Sequence, residues 1–243
     1  MKTQILGVKI DSISFQEAIA KIDRFVCDKK SSQIVTVNPE FIMAAQKDRI
    51  FKKILNKADL AVADGFGLMM AASYLERPLK ERITGVDLTW AICKLAEDRG
   101  YSVFLLGGTK GVAEKTAFRI KKIHPRLKVV GFYAGKPNDQ KTLNIIKKAK
   151  PDILFVAFGA PKQDKFIFDL NHSKDEFHPS LSIGVGGTFD YIAGIVPRAP
   201  EWMRRLGLEW LYRLSKQPTR LNRIIIAVFK FPFAVFKQKI SNL

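Results

Sequence analysis

The sequence contains few cysteines, no long uninterrupted hydrophobic run and no recognisable leader. Cys27 and Cys93 are its two cysteines, each in a helix-like stretch, so we expect free, buried thiols rather than a disulfide scaffold. No window reaches the ~18 uninterrupted apolar residues that span a bilayer, and the first fifteen residues, which include Asp11, do not resemble a signal peptide. We therefore expect a protein on the cytoplasmic side of the membrane.

Motifs for metal binding and nucleophilic hydrolysis are also missing. His124, His172 and His178 are not spaced as metal ligands, and no Asp-x-Asp pair occurs. Neither a Gly-x-Ser-x-Gly elbow nor a Ser-His-Asp arrangement is visible. We interpret each histidine as a surface or capping residue, and we expect neither a metal ion nor a cofactor.

Acidic residues are fewer than basic ones: the sequence has 23 Asp and Glu and 41 Lys and Arg, which gives a net charge of +18. Such a charge favours a polyanionic partner, such as nucleic acid, anionic lipid or a nucleotide-linked substrate. No nucleic-acid-binding module is recognisable. The densest charge lies in residues 204–243, where nine Lys or Arg accompany one acid among aromatic and aliphatic residues. This mixture favours an anionic membrane surface over nucleic acid.

Short apolar runs alternate with amphipathic stretches of helical length. The predicted strands cover residues 5–10, 33–37, 60–63, 101–106, 128–132, 153–158 and 181–185. The predicted helices cover residues 14–29, 40–55, 67–75, 87–99, 111–123, 139–150 and 161–170. This alternation predicts an α/β fold, a Rossmann-like, largely parallel sheet with helices on both faces. We expect residues 1–197 to form this core and residues 198–243 a basic helical appendage.

Polar or glycine-rich loops follow five of the predicted strands, and ligands of such sheets bind outside the carboxyl ends of the strands. Asp64 stands there beside glycines, where it could act as a general base or cap the next helix. Thr36 and Asn38 follow a neighbouring strand, although loop structure alone is another explanation. Gly107 and Gly108 suit a nucleotide or phosphate but not NAD, because the next strand carries no acid to bind the ribose.

The segment from Gly184 to Asp190 combines glycines, which let the backbone approach a ligand closely, with a carboxylate. Several arginines follow, and their planar forks suit phosphate. Four cations are spaced by 3, 4 and 3 residues, which predicts one side of a helix kinked at Pro218: Arg213, Lys216, Arg220 and Arg223. The sequence therefore predicts a pocket followed by an anion-binding element.

These segments, in this order, resemble the WecG/TagA/CpsF family of bacterial glycosyltransferases (glycosyltransferase family 26), and the resemblance covers nearly the whole chain. It rests on residues 36–40, 63–65, 82–88, 159–163, 184–190, 198–200 and 208–213. One departure is the segment from Asp164 to Phe166, where family members often carry Glu and Trp.

The resemblance implies transfer of a sugar from a UDP-sugar to a polyprenyl-diphosphate-linked sugar, by a protein bound peripherally to the inner face of the cell membrane. In the teichoic-acid branch, N-acetylmannosamine passes with inversion and without metal to the 4-hydroxyl of N-acetylglucosamine on undecaprenyl diphosphate. Another UDP-sugar donor, with the uronate of N-acetylmannosamine or with glucose, is an alternative. A non-catalytic nucleotide-binding membrane adaptor is another, and a homo-oligomer is possible.

By resemblance, Asp64 is the catalytic base and Thr36 its neighbour at the sugar site. Arg213, Arg220 and Arg223 belong to an appendage that closes over the site and holds the diphosphate. The loops and the resemblance together make these residues candidates for substrate binding: Asn38, Arg82, Gly107, Gly108, Gln163, Gly187 and Asp190.

Overall fold

A computed structural model describes residues 1–137, 139–175 and 177–241. Its strands are β1 (Lys2–Ile5), β2 (Val8–Asp11), β3 (Ser32–Val37), β4 (Leu60–Ala63), β5 (Ser102–Gly107), β6 (Lys128–Tyr133), β7 (Ile153–Ala157) and β8 (Leu181–Gly184). Strands β3 to β8 form one six-stranded sheet in the order β4-β3-β8-β7-β5-β6, and every pairing in it is parallel. The predicted α/β fold with a parallel sheet is confirmed.

The helices of the core are α1 (Phe15–Cys27), α2 (Pro39–Lys47), α3 (Arg49–Lys57), α4 (Phe66–Tyr74), α5 (Gly85–Arg99), α6 (Val112–Ile123), α7 (Gln140–Ala149), α8 (Lys162–Asn171) and α9 (Thr188–Ile192). Ser14 and Glu17 form the capping box at the start of α1. Gly100, with φ of 74°, ends α5 in the left-handed conformation that glycine adopts without strain.

Two predicted elements of the N-terminal part were wrong. Residues 5–10 are not one strand, because Leu6 and Gly7 have φ of 48° and 77° and turn the chain into an antiparallel β1–β2 hairpin. Residues 40–55 are not one helix, because Asp48 leaves helical geometry with φ of −125°. The Asp48 Oδ1 atom then accepts the N–H of Phe51 at 2.9 Å and begins α3.

The sheet is covered on both faces, and residues that alternate along each strand enter different clusters. On β3, Ile34 packs with α1 and α5, whereas Val35 and Val37 pack with α2, α4 and the hairpin. On β5, Leu105 lies on the first face and Phe104 on the second, beside α7 and α8. Strands β3, β4, β7 and β8 are buried along their whole length, which explains why β4 and β7 are apolar throughout.

Residues 201–241 form a series of short helices: α10 (Glu201–Arg205), α11 (Glu209–Lys216), a 3-10 turn (Pro218–Arg220), α12 (Leu221–Ile225), a π-helical stretch (Ile226–Lys230) and α13 (Phe231–Ser241). The predicted kinked helix is instead interrupted, because α11 ends before Pro218. Phe231 and Val235 of α13 are buried in the cluster that contains Leu68 of α4. No helix in the described part of the chain has both the length and the apolar character needed to cross a membrane.

Both cysteines are free, as predicted, but they differ in exposure. Cys93 is buried, and burial raises the pKa of its thiol to about 12. Cys27 is exposed, so the prediction that its thiol is buried was wrong. It lies at the end of α1, where its Sγ atom is 3.0 Å from the hydroxyl of Tyr101.

Candidate active site

The carboxyl ends of the parallel strands bring residues from distant parts of the chain together around Gly85. A Cβ atom added to Gly85 would lie 3.6 Å from Asp64 Oδ2, 3.6 Å from Thr188 Oγ1 and 3.7 Å from Thr36 Cγ2. These residues follow or end strands β4, β8 and β3, which are neighbours in the sheet. Thr36 and Asp64, two of the predicted site residues, are therefore side by side, and Gly85 leaves space between them and Thr188.

Asp64 is half-buried, and its main-chain N–H donates to the carbonyl of Val37 at 2.7 Å. The Oδ2 atom accepts the N–H of Gly85, the first residue of α5, at 3.1 Å. Helix α4, directly after Asp64, has Gly65 at its N-cap and no side-chain capping bond. The alternative that Asp64 caps the helix that follows it is therefore wrong.

Burial raises the pKa of Asp64 to about 6. The bond from Gly85 and the charges of Arg213 and Arg82 lower this pKa without cancelling the effect of burial, and Glu209 raises it further. At neutral pH the group is mostly a carboxylate with more proton affinity than an ordinary aspartate. A carboxylate of this kind, at the rim where ligands of parallel sheets bind, can accept a proton from a hydroxyl.

Gln163 connects the loops that follow β7 and β8. Its Oε1 atom accepts the N–H of Gly159 at 3.1 Å and that of Gly186 at 3.0 Å. A Cβ atom at Gly184 would lie 2.5 Å from Gln163 Nε2, so a larger residue there would displace the Gln163 side chain. The buried amide thus holds the glycine-rich turn in place. The next residue, Asp164, lies in the first turn of α8 and is fully buried, and burial raises its pKa to about 7.

Three other predicted site residues have evident roles in the fold. The Oδ1 atom of Asn38 accepts the N–H of Phe41 at 3.0 Å and caps α2. Gly107 has φ of 97°, and a Cβ there would lie 2.9 Å from the carbonyl oxygen of Ala157. Gly108, with φ of 75°, continues this turn. Strand β5 lies beyond β7 in the sheet, so these two glycines are on the same rim as Asp64 but three strands from β3.

Gly187 and Asp190 lie next to the C-terminal segment. A Cβ atom at Gly187 would be 3.6 Å from Arg220 Nη2 and 3.7 Å from Asp190 Oδ2. Burial raises the pKa of Asp190, and the charge of Arg220 lowers it. Burial, followed by the charges of Arg223 and Arg213, lowers the pKa of Arg220. The three predicted tail arginines are thus close enough to repel one another, which favours a bound anion.

Arg213 lies over the ring of Tyr191, 4.9 Å from the ring centroid, and donates to Glu209 at 3.3 Å. Its buried Nε atom has no hydrogen-bond partner among the described residues. Arg223, which is more exposed, donates to the carboxylate of Glu40 at the start of α2. The tail therefore contacts both sides of the rim, at α9 and at α2.

The sequence prediction did not anticipate the anchor at the start of the tail. Arg198 donates to both carboxylate oxygens of Asp87, at 2.6 and 2.8 Å, and to Thr84 Oγ1 at 3.3 Å. Thr84 caps α5, whose first N–H binds Asp64. Both partners stand in segments that carry the family resemblance, but their pairing depends on the fold. Gly85, Thr188 and Tyr191 were also missed.

The chain is a glycosyltransferase. It belongs to the WecG/TagA/CpsF family of glycosyl transferases, whose model matches residues 3–243.

Similar proteins include the N-acetylglucosaminyldiphosphoundecaprenol N-acetyl-beta-D-mannosaminyltransferase of Bacillus subtilis (strain 168). It is 35% identical over 220 residues, which cover 90% of this chain and 84% of that protein. A protein of the same name from Staphylococcus aureus (strain MW2) is 32% identical over 245 residues, covering 99% of this chain and 95% of that protein.

Proposed function

We propose that the protein transfers N-acetylmannosamine from UDP-N-acetylmannosamine to the 4-hydroxyl of N-acetylglucosamine on undecaprenyl diphosphate, with inversion. The product is the linkage unit of a teichoic acid. The observation that carries the proposal is the half-buried Asp64 carboxylate on the same rim as the tail arginines, Arg213 and Arg220. The names of the two bacterial relatives support the same donor sugar and acceptor.

Asp64 acts as the general base. It takes the proton of the acceptor hydroxyl while that oxygen attacks the anomeric carbon in line, and the bond from this carbon to the UDP oxygen breaks with its electron pair leaving on UDP. The N–H of Gly85 orients the carboxylate through Oδ2. The pKa of about 6 leaves the base ionised at neutral pH and still able to accept a proton. Thr36 borders the sugar beside it.

The leaving diphosphate gains negative charge, which the guanidinium groups of Arg213 and Arg220 stabilise. Gly187 lies against Arg220, so the turn after β8 and the tail arginine reach the same point. A diphosphate there also relieves the repulsion that lowers the pKa of Arg220. Asp190, Gln163 and Arg82 complete the donor pocket, and Arg223 exchanges Glu40 for the diphosphate when substrate is bound.

The appendage of residues 198–243 holds these arginines in place and binds the anionic inner face of the cell membrane. Burial of Phe231 and Val235 fastens α13 to the core. The other side of α13 exposes Phe233, Phe236 and Ile240 near lysines, as an interfacial helix does. Membrane docking stabilises the arrangement in which Arg213 and Arg220 meet the pocket, so that the enzyme is most active at the surface where its acceptor resides.

A panel of UDP-sugars tests the function, assayed with N-acetylglucosamine diphosphate on a short lipid chain. We expect consumption of UDP-N-acetylmannosamine, with release of UDP and formation of a disaccharide lipid. Turnover of UDP-glucose or of the uronate donor in its place would contradict the donor assignment. UDP binding without any turnover would identify a nucleotide-binding adaptor instead.

A further inference from the structure

Helix α4 begins two residues after Asp64 and is apolar on both of its sides. Its inner side buries Leu68, Ala71 and Ala72. Its outer side carries Phe66, Met70 and Tyr74, four residues apart, which are 42%, 61% and 43% exposed. A helix that is apolar all round is ordinarily buried. We refer to these three outer side chains as the α4 stripe, and their exposure indicates a ligand or partner.

The tail contacts the α4 stripe at its two ends and leaves its middle open. At the end near Asp64, a Cβ atom on Gly207 would lie 2.7 Å from Phe66 Cδ1, so the ring packs against the tail backbone. At the far end, Lys239 Nζ lies 4.6 Å from the centroid of the Tyr74 ring and donates to the Tyr74 carbonyl at 2.8 Å. Met70, the most exposed of the three, lies between these contacts.

We propose that the α4 stripe binds the polyprenyl chain of the acceptor, an inference that rests on the proposed function. The acceptor is a sugar, then a diphosphate, then the hydrocarbon chain, so the chain must leave the site at a distance from the attacking hydroxyl. Helix α4 starts at the base and extends away from it, and the α4 stripe covers about 12 Å along the helix. Met70 and Tyr74 lie about one and two helical turns beyond Phe66, at a distance from the reacting carboxylate that leaves room for the sugar and the diphosphate.

The chemistry of the stripe suits an isoprenoid chain. Two aromatic rings give flat apolar contacts, and the flexible Met70 side chain adapts to branched methyl groups. Helix α4 itself carries no charged residue, and Lys239 reaches the stripe from α13, at Tyr74. The exposed phenylalanines of α13, in contrast, share their own helix with Lys237 and Lys239: Lys237 Nζ, for example, lies 4.7 Å from the Phe233 ring centroid. That cationic surface suits lipid headgroups, so the α4 stripe is the better surface for the hydrocarbon chain.

The first test compares Met70→Ser with Phe118→Ser, which removes a 73% exposed ring from α6 and serves as the matched control. Each full-length variant is assayed with acceptors that carry a long polyprenyl chain or a short alkyl chain. We expect Met70→Ser to raise the ratio of the long-chain to the short-chain KM about tenfold, because apolar contacts with the chain are lost. Phe118→Ser should leave the ratio unchanged. An unchanged ratio in Met70→Ser would overturn the proposal.

The second test needs no turnover. A photoreactive polyprenyl diphosphate without a sugar should crosslink to residues 66–74, and less so in Met70→Ser. Crosslinking there without sugar transfer to any acceptor would reject the proposed function but keep the chain-binding site. Transfer with crosslinks confined to other segments would reject the site alone.

Two further measurements separate other occupants of the stripe. If Met70→Ser dissociates a dimer in sedimentation, with the KM ratio unchanged, the stripe contacts a second copy and the proposal is wrong. It is also wrong if the variant loses affinity for anionic vesicles that contain no polyprenyl lipid, again with the KM ratio unchanged.

Discussion

At the scale of single residues, Asp64 combines burial with a charge that its neighbours only partly stabilise. Its pKa of about 6 predicts the pH dependence of the reaction. The base must be ionised, so kcat/KM should fall about tenfold per pH unit below about pH 6 and level off above it. A profile measured with UDP-N-acetylmannosamine checks this, and a rate that stays constant through pH 6 would contradict the role of Asp64 as base.

Replacement of Asp64 by asparagine should separate catalysis from stability. The variant should keep UDP-sugar binding and lose ~10²–10⁴-fold in rate, because the amide cannot accept the proton. It should also be more stable at neutral pH. The folded pKa lies above the unfolded value, so the free energy of unfolding falls as pH rises from about 4 to 6 and stays lower above that range.

The stability gain on removing this charge is at most about 3 kcal/mol. Thermal unfolding at neutral pH measures it, with Asp98→Asn as the control, because that exposed carboxylate pairs only with Lys94 at the surface. Near-normal turnover in Asp64→Asn, or a Tm below that of the parent protein, would refute the assignment.

Sequence alone predicted that Asp64 and Thr36 lie on the same rim of the sheet, because a strand end in a parallel sheet fixes which rim a residue occupies. It could not place Gly85 and Thr188, whose importance comes from the spatial approach of loops far apart in the chain. Asn38 shows that a strand-end position does not by itself identify a binding residue. A polar residue at a strand end is also the ordinary start of a helix, and here it caps α2.

At the scale of elements, the Arg198 anchor joins the beginning of the tail to the start of α5. Arg198→Ala removes a bidentate pair with Asp87, so we expect a loss of about 1–2 kcal/mol of stability. Turnover should fall more than UDP affinity, and limited proteolysis should cut the tail faster. Arg205→Ala, which removes an exposed pair with Glu201, is the control. Equal protease sensitivity of both variants would show that the anchor does not hold the tail.

The elements predicted best were the buried strands and the capped helices, because long apolar runs and a Ser14–Glu17 box allow few alternatives. The failures share one cause. Leu6–Gly7 and Asp48 each interrupt an otherwise continuous hydrophobic pattern with a local backbone preference, and Pro218 interrupts a regular spacing of cations in the same way. Periodicity alone hides such interruptions. On both sides of Leu6–Gly7 and of Asp48, for example, the apolar residues continue to face the same core.

At the scale of the whole molecule, the tail is both part of the site and part of the core. A chain ending at Pro197 should fold, because the sheet and its helices are complete. It should lose turnover, because it lacks Arg213 and Arg220. It should also unfold at a lower temperature, since the partners of Phe231 are exposed. Phe231→Ala in the full chain, at a cost of about 3–5 kcal/mol, isolates that packing effect. Circular dichroism and thermal melting measure both, and full activity of the truncated chain would contradict the role of the tail.

The place of β8 has a consequence for how the protein is made. The last strand to leave the ribosome pairs with β3 on one side and β7 on the other, so the two earlier halves of the sheet stay separate until it arrives. Arg213 and Arg220, which we propose stabilise the leaving group, emerge later still. We therefore expect a nascent chain to have no transferase activity until these residues have emerged and folded onto the sheet.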